Sequence, residues 1–347
     1  MKILVLAGGV NMERDVSLST GNMIYRALRD RGHSCVLLDV YLGWEGDPTL
    51  SFERDWELTE AEAKVGIAEP NLDEVRNRRK GDKRSFFGPN VLPIALMADV
   101  VFLALHGQNG EDGKIQACFE LMGIRYTGTD YFSSAIGLDK GLTKQIFTLH
   151  GIPTPTGYLL KKNEPDIRQS EIPFPKIVKI NTGGSSVGVY LAHTMEEYEQ
   201  AKQQAFTYDT QVVIEEYIAG REFDVGVLNQ KAMPVIEIAT DTGLYDYQGK
   251  YQPGGAVETC PAQISPAKTQ ELQLLAEKVF AALRMRGYAR IDFRMDENET
   301  IYCLEANSLP GMTPTSLFPQ EAAAMGIGFG ELCEEIIRLS YQENEAL

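Results

Sequence analysis

Near the start of the chain, short apolar runs rich in β-branched residues alternate with segments of helical spacing. Residues 3–7 form one such run, and residues 16–31 follow it with apolar side chains at helical intervals. Two further apolar runs lie at 35–40 and 100–105. Strands and helices alternate in this way when helices cross between the strands of a parallel sheet. The pattern therefore predicts a Rossmann-like α/β domain over residues 1–128.

The rest of the chain has a different texture and predicts two further units of α+β character. A helix at 133–148, a proline-rich turn, two strands and a Gly/Ser loop predict a compact unit over 129–214. Several strands, a long helix and a C-terminal helix predict a last unit over 215–347. A length of 347 residues suits two or three domains. Residues 41–90 break the early alternation and are expected to form a loosely structured insertion.

Charge and cysteine content exclude several classes of function. The 49 acidic and 33 basic residues give a formal charge of −16, which disfavours binding to nucleic acid or to an anionic membrane. The basic cluster at 76–84 is expected to be a solvated face. No apolar stretch approaches the roughly 18 to 20 residues of a membrane helix, and the first run is too short for a secretory signal. Five scattered cysteines without a CxxC pair fit a reducing cytosol, so a cytoplasmic protein is expected.

A glycine- and serine-rich loop follows the strand that ends near Lys179. Residues 181–188 read NTGGSSVG, whose backbone N–H groups could wrap phosphates, with donors added by the hydroxyls of Ser185 and Ser186. Lys179, and Lys140 from the preceding helix, could reach the same anion. The loop is not a Walker A motif. A plain hairpin turn and solvent-facing lysines account for the same residues.

Two segments near the C-terminal end place oxygen ligands on strand faces. Arg290 and Asp292 alternate on one strand, and Glu305 and Asn307 alternate on another. Two carboxylates and an amide suit Mg²⁺, which also binds substrate phosphates. The guanidinium of Arg290 is always positively charged and could stabilise an anion that forms during a reaction. A surface salt-bridge network is the alternative. The Gly/Pro loop at 308–314 could aim backbone N–H groups at the same place.

Three other segments are compatible with a nucleotide-binding enzyme. Residues 215–218 with Glu222 could bind an adenine and a ribose, although a strand with surface acids explains them equally. Residues 245–251 have the polar, aromatic and glycine-containing composition of a closing lid. The loop at 106–113 follows a strand and opens a helix, where ligands commonly bind. A lone histidine such as His106 is more often structural.

Together and in order, these segments resemble the D-alanine-D-alanine ligase family of the ATP-grasp superfamily. The matching elements are Gly8-Gly9, Glu13, the HGQNGEDG string at 106–113, Lys140, Lys179, the GSSVG string at 184–188, Glu215, Glu222, Lys250-Tyr251, Arg290, Asp292, Glu305-Ala306-Asn307, Pro310-Gly311-Met312 and Ser316-Leu317. The resemblance implies an ATP-grasp fold of three domains with a lid at 241–258, and a homodimer.

The resemblance also implies the reaction. The carboxylate of a first D-alanine would attack the γ-phosphate of ATP to give D-alanyl phosphate, and the amine of a second D-alanine would then displace phosphate. The product, D-alanyl-D-alanine, would serve peptidoglycan precursor synthesis. The implied cofactors are ATP and two Mg²⁺ ions, with Mn²⁺ as a substitute.

Roles for individual residues follow from the same resemblance. The implied catalytic residues are Glu13, Ser185, Tyr251, Arg290 and Gly311. The implied ATP-binding residues are Lys140, Lys179, Ser186, Glu215, Glu216, Ile218, Glu222 and Lys250. The implied substrate-binding residues are Glu13, His106, Arg290, Gly311, Ser316 and Leu317. The implied metal ligands are Asp292, Glu305 and Asn307. Among these, Arg290 and the N–H of Gly311 would stabilise the oxyanion of the tetrahedral intermediate, and Ser316 would bind the second carboxylate.

Some positions depart from the family pattern, and some alternatives remain. Ile180 stands where the family commonly has proline, and Arg294 and Cys303 stand where it usually has aliphatic residues. The pair Lys250-Tyr251 favours an amine as second substrate over D-lactate, and Leu317 resembles alanine-using members. D-serine, D-lactate or another amino acid remain alternative acceptors, and a non-catalytic nucleotide-binding module is a further alternative. A dehydrogenase is excluded because no GxGxxG follows the first strand.

Overall fold

A computed structural model describes residues 1–63, 65–66, 70–184, 188–240 and 255–342. Within these ranges the strands form three sheets, the first parallel and the other two antiparallel. The predicted fold class, α/β with α+β character in the later parts, is confirmed. No helix of the described residues is both long enough and apolar enough to cross a membrane.

The first sheet has three strands in the order β2-β1-β3. Its strands are β1 (Lys2–Ala7), β2 (Ser34–Asp39) and β3 (Val100–Leu103). The accompanying helices are α1 (Arg14–Asp30), α2 (Leu72–Arg78), α3 (Val91–Met97) and α4 (Lys114–Met122). A Cβ on Gly21 of α1 would lie 2.6 Å from the Cβ of Ala7, so glycine there lets α1 pack directly on β1.

The second sheet has the order β4-β7-β5-β6. Its strands are β4 (Gly157–Lys161), β5 (Lys176–Ile180), β6 (Val189–Ala192) and β7 (Gln211–Glu216), and the neighbouring helices are α5 (Tyr131–Leu138), α6 (Lys140–Leu149) and α7 (Met195–Tyr208). The single helix predicted at 133–148 is wrong. Asp139 takes an extended conformation and caps α6 by accepting a hydrogen bond from the N–H of Leu142, which divides the segment into two helices.

The third sheet has the order β11-β10-β8-β12-β13, with β9 paired to β8. Its strands are β8 (Arg221–Leu228), β9 (Lys231–Ala232), β10 (Ile236–Ala239), β11 (Val257–Thr259), β12 (Tyr288–Met295) and β13 (Ile301–Asn307). The remaining helices are α8 (Pro266–Ala282), α9 (Leu317–Ala324) and α10 (Phe329–Gln342). The core of the first sheet includes Tyr288, Met312 and Phe318 from this part of the chain. Shared burial of these side chains joins the first and third sheets.

The segment 41–90 is more ordered than the sequence predicts. Its described residues include α2 and a 3₁₀ helix (Pro48–Glu53), and Trp44 and Trp56 pack against the N-terminal core. The two indole rings meet edge to face with centroids 5.1 Å apart. Burial of aromatic surface therefore docks the segment onto the first sheet.

The basic cluster at 76–84 is a solvated face with one exception. Lys80 and Arg84 are largely exposed. Arg79 is buried, donates a hydrogen bond to the carbonyl of Phe87 at 2.7 Å, and lies over the ring of Tyr41. The prediction of a solvated face is wrong for Arg79, because its guanidinium donates to a backbone carbonyl and lies over an aromatic ring inside the fold.

Candidate active site

The predicted phosphate lysine Lys140 lies at the first turn of α6, against the glycine-rich loop. Its Nζ donates to the carbonyl of Gly183 at 2.6 Å and lies 3.2 Å from Oε2 of Glu305 on β13. Only about 10 Å³ of space lies between the loop and β13 at this point, roughly room for one water. Lys140 thus links the described part of the loop to β13.

The second predicted phosphate lysine, Lys179 on β5, is buried and paired with Glu215 on β7. The Nζ of Lys179 lies 2.6 Å from Oε1 of Glu215, and the Nζ of Lys144 lies 2.6 Å from Oε2. Burial alone would raise the pKa of Glu215, but the charges of Lys144 and Lys179 outweigh it and hold that pKa below its ordinary value. Glu215 is therefore an ionised carboxylate shared by two ammonium groups.

Alternate residues of β8 and β12 face one another and carry most of the charged groups of the site. Glu222 lies opposite Arg294, Asp224 opposite Asp292, and Gly226 opposite Arg290. Because cross-strand partners share a face of a sheet, this arrangement places three carboxylates beside two guanidinium groups.

The predicted metal ligands lie together on β12 and β13. Asp292 is the register partner of Glu305, and the amide of Asn307 donates to both oxygens of Asp292 at 3.1 Å. Two carboxylates and one amide are ligands that Mg²⁺ accepts beside substrate phosphates, so these residues fit such an ion. No group of three or more His, Cys, Asp and Glu side chains suited to a metal occurs in the described ranges. Burial raises the pKa of the adjacent Cys303 well above its ordinary value, which keeps its thiol protonated.

Four of the six predicted substrate residues line one cavity of about 520 Å³. Its lining includes Arg290, Gly311, Ser316 and Leu317. Ser316 is the N-cap residue of α9, and a helix N-terminus favours a carboxylate. The guanidinium of Arg290 donates to both oxygens of Asp292 at 2.9 Å. The cavity thus combines a cationic fork with a helix N-terminus.

Glu13 and His106 come from the first sheet's loops and lie at the junction with the other sheets. A Cβ on Gly107 would lie 2.1 Å from Oε2 of Glu13, and a Cβ on Gly184 would lie 2.8 Å from it, so two glycines make room for this carboxylate. The Nδ1 of His106 lies 3.0 Å from the carbonyl oxygen of Leu309. Burial lowers the pKa of His106 and favours a neutral ring.

Arg294 contacts the segment predicted to bind adenine and ribose, residues 215–218 with Glu222. One arm of its guanidinium donates to the carbonyl of Ile218 at 2.8 Å, and the other donates to Glu222 at 3.0 Å. Glu216 accepts a hydrogen bond from the N–H of Thr156 at 2.7 Å. Arg294 therefore links the backbone of Ile218 to the side chain of Glu222.

Four predicted site residues, and most of the predicted lid, lie outside the described residues. The residues are Ser185, Ser186, Lys250 and Tyr251. Of the lid at 241–258, only residues 255–258 are described, and they lead into β11.

The sequence did not single out Glu111, Lys144 or Asp224, which the fold buries at the site. Glu111 accepts hydrogen bonds from the N–H groups of Gly107 at 2.8 Å and Leu309 at 2.9 Å, and so ties two loops together. Burial, helped by the charge of Glu13, raises the pKa of Glu111 to about 7. Spacing could have indicated the other two, because Lys144 is one helical turn beyond Lys140 and Asp224 alternates with Glu222.

The sequence was compared with family models and with known proteins, and both comparisons match it to D-alanine-D-alanine ligases. The family model described as D-ala D-ala ligase N-terminus matches residues 2–129, and that described as D-ala D-ala ligase C-terminus matches residues 150–338. The D-alanine-D-alanine ligase of Pediococcus pentosaceus is 40% identical over 340 residues and covers 97% of both chains. That of Lacticaseibacillus casei is 38% identical over 339 residues, covering 97% of this chain and 95% of its own.

A solved structure gives the same result at the level of the fold. The crystal structure of the D-alanine-D-alanine ligase from Bacillus anthracis complexed with ATP has a TM-score of 0.77 and 27% identity, and covers 100% of this chain and 99% of that one. The fold is therefore the ATP-grasp fold of these ligases. Given two family models and relatives matched over nearly their whole length, the chain belongs to the D-alanine-D-alanine ligase family.

Proposed function

We propose that this protein joins two molecules of D-alanine in an ATP-dependent reaction, giving D-alanyl-D-alanine, ADP and phosphate for peptidoglycan precursor synthesis. The observation that carries the proposal is the cavity in which Arg290, Gly311 and the N-cap residue Ser316 meet. It lies beside the oxygen ligands of β12 and β13. A cavity of this kind can hold an amino acid carboxylate next to the place where a carboxyl group is activated.

In the first step the carboxylate of one D-alanine attacks the γ-phosphorus of ATP, and the bond to ADP breaks. This activation is needed because a free carboxylate is a poor electrophile. Lys140 and Lys179 would hold the phosphates of ATP, and Glu13 would receive the ammonium group of this D-alanine. Asp292, Glu305 and Asn307 would hold Mg²⁺, which when bound would neutralise charge on the phosphate oxygens.

In the second step the amine of another D-alanine attacks the acyl carbon and the peptide bond forms. Phosphate leaves and takes up the proton that the amine loses. The negative oxygen of the tetrahedral intermediate would be stabilised by Arg290 and by the N–H of Gly311. Ser316 and the N-terminus of α9 would orient the incoming carboxylate. The family's lid would exclude water, which otherwise hydrolyses the acyl phosphate.

The proposal is tested by coupled ADP release with D-alanine, D-serine, D-lactate and other D-amino acids, and by mass spectrometry of the products. We expect ADP release that depends on D-alanine and a product with the mass of D-alanyl-D-alanine. ADP release that does not respond to D-alanine would overturn the proposal. Faster turnover with D-lactate or D-serine as acceptor would instead favour the alternative second substrates.

The proposal extends to the organisation of the protein in the cell. We infer three functional units at 1–128, 129–214 and 215–347, which hold all or most of the first, second and third sheet respectively, and a homodimer formed through the first unit. Leu96 and Leu121 on helices of that unit are exposed, which supports a contact there. The enzyme would act in the cytoplasm, where ATP is available and its five unpaired cysteines stay reduced. Light scattering in solution tests the dimer.

A further inference from the structure

Lys144 is a buried charged residue to which the proposed reaction assigns no role. It lies on α6, one turn beyond Lys140, and only 9% of its surface is exposed. Its ammonium lies 2.6 Å from Oε2 of Glu215 and donates a hydrogen bond to the hydroxyl of Thr154 at 3.1 Å. A buried lysine of this kind is uncommon unless it is paired.

The partner of Lys144 is also the partner of the predicted phosphate lysine. Oε1 of Glu215 lies 2.6 Å from Lys179, so each oxygen of one carboxylate receives one ammonium group. All three side chains are buried. In such surroundings their charges are screened less than at the surface. Two positive groups and one negative group leave the cluster with one net positive charge.

That net charge depends on Lys144. If Lys144 were absent, Lys179 and Glu215 would form a neutral pair, and both oxygens of Glu215 would be available to hold the ammonium of Lys179. A neutral pair attracts a phosphate more weakly than a cluster with one net positive charge. With Lys144 in place, one oxygen of Glu215 is already occupied.

We propose that Lys144 is a positioning residue for ATP, which acts through Glu215 by occupying one of its oxygens and leaving one net positive charge where Lys179 would meet the phosphates. This inference rests on the proposed function, because it takes Lys179 to face ATP. It differs from a purely structural role, in which Lys144 would only fasten α6 to β7. If Lys144 had only that structural role, the net charge of the cluster would not affect ATP binding.

The test measures ATP binding by calorimetry in the presence of Mg²⁺ and the absence of D-alanine. We expect Lys144→Met to weaken binding on the order of 10- to 100-fold, as for loss of one charge-assisted contact. In the double variant Lys144→Met with Glu215→Gln, the cluster again has one net positive charge, which comes from Lys179 alone. We expect it to recover most of the lost affinity.

A matched control is Lys202→Met. Lys202 is also 9% exposed, and it lies on α7 paired with Asp166 at 3.2 Å, away from the cluster. It should leave ATP affinity unchanged, and thermal melting of every variant checks that each is folded. If Lys144→Met does not fold, Lys144→Gln takes its place.

The outcomes separate this inference from the function on which it rests. Unchanged ATP affinity in Lys144→Met, or a double variant as weak as the single one, would overturn the role of Lys144 and leave the ligase proposal intact. Wild-type protein that does not bind ATP would overturn both. Weakened binding that the second substitution restores would support the inference.

Discussion

Oδ2 of Asp224 lies 3.0 Å from Nε of Arg290, inside the third sheet. Asp224 is 1% exposed and is the register partner of Asp292, so two aspartates flank one guanidinium. Asp292 belongs to the predicted metal ligands, whereas Asp224 does not. If a cation were bound by Asp292, the contact of Asp224 with the guanidinium would remain available. Arg290 would therefore keep its orientation through the catalytic cycle.

The first prediction concerns Arg290 as a group used in the transition state. We expect Arg290→Ala to lower kcat on the order of 100- to 1,000-fold, as for removal of one oxyanion donor, while the Kd for ATP changes little. Steady-state kinetics and ATP titration measure the two effects. Equal losses in turnover and ATP binding would contradict the assigned role.

Substitution of Arg290 also leaves Asp224 buried without its cation, so stability must be measured alongside activity. Arg290→Lys is the matched control, because it keeps the charge but loses the planar fork. We expect it to be more stable than Arg290→Ala and still impaired in kcat. A lysine variant with wild-type turnover would show that charge alone is sufficient.

The second prediction concerns Arg294, which bridges the carbonyl of Ile218 and the carboxylate of Glu222. We expect Arg294→Met to raise the KM for ATP on the order of tenfold, because the hydrogen bonds of a charged group to both elements are lost. The kcat and the KM for D-alanine should change little, since Arg294 does not line the substrate cavity. An unchanged KM for ATP would show that Arg294 has no part in nucleotide binding.

Local patterns predicted the first sheet, and the resemblance to a known family implied the whole fold. The pairing of charges explains why parts of the site were missed. Apolar runs predicted β1 and β3 because parallel strands are buried on both faces. Alternation predicted that Arg290 and Asp292 share a face. The pairing of Lys144 with Glu215 depends on contacts between residues 71 positions apart. Single-residue spacing cannot indicate which of several buried lysines meets a given carboxylate.

The third prediction concerns the pH dependence of stability. Burial raises the pKa of Glu111 from 4.5 to about 7 in the folded protein. The unfolded chain loses this proton above about 4.5, whereas the folded chain keeps it until about 7. Protonated Glu111 therefore stabilises the fold fully below pH 4.5, and this contribution is lost as the pH rises through about 7, the pKa in the folded protein. Its size is roughly 3 kcal/mol.

Thermal unfolding between pH 4.5 and 8.5 tests this prediction in the wild type and in Glu111→Gln. The amide does not titrate, so we expect the variant to lose less stability than the wild type as pH rises through this range. The comparison removes the contribution of carboxyl groups common to both proteins. Parallel pH profiles would show that Glu111 does not bind a proton on folding.

The last prediction concerns the docking of segment 41–90 through Arg79. This side chain is 5% exposed and donates to backbone carbonyls of Ser85 and Phe87. We expect Arg79→Ala to lower the free energy of unfolding by about 2 to 3 kcal/mol, because buried acceptors lose a charged donor.

The chain offers a built-in probe and a matched control for this measurement. Its two tryptophans, Trp44 and Trp56, both lie in the segment, so urea unfolding followed by tryptophan fluorescence reports on it directly. Arg84→Ala removes a guanidinium that is 92% exposed, and should change stability by less than about 0.5 kcal/mol. If both variants unfold at the same urea concentration as the wild type, Arg79 does not hold the segment, and aromatic burial alone is sufficient to dock it.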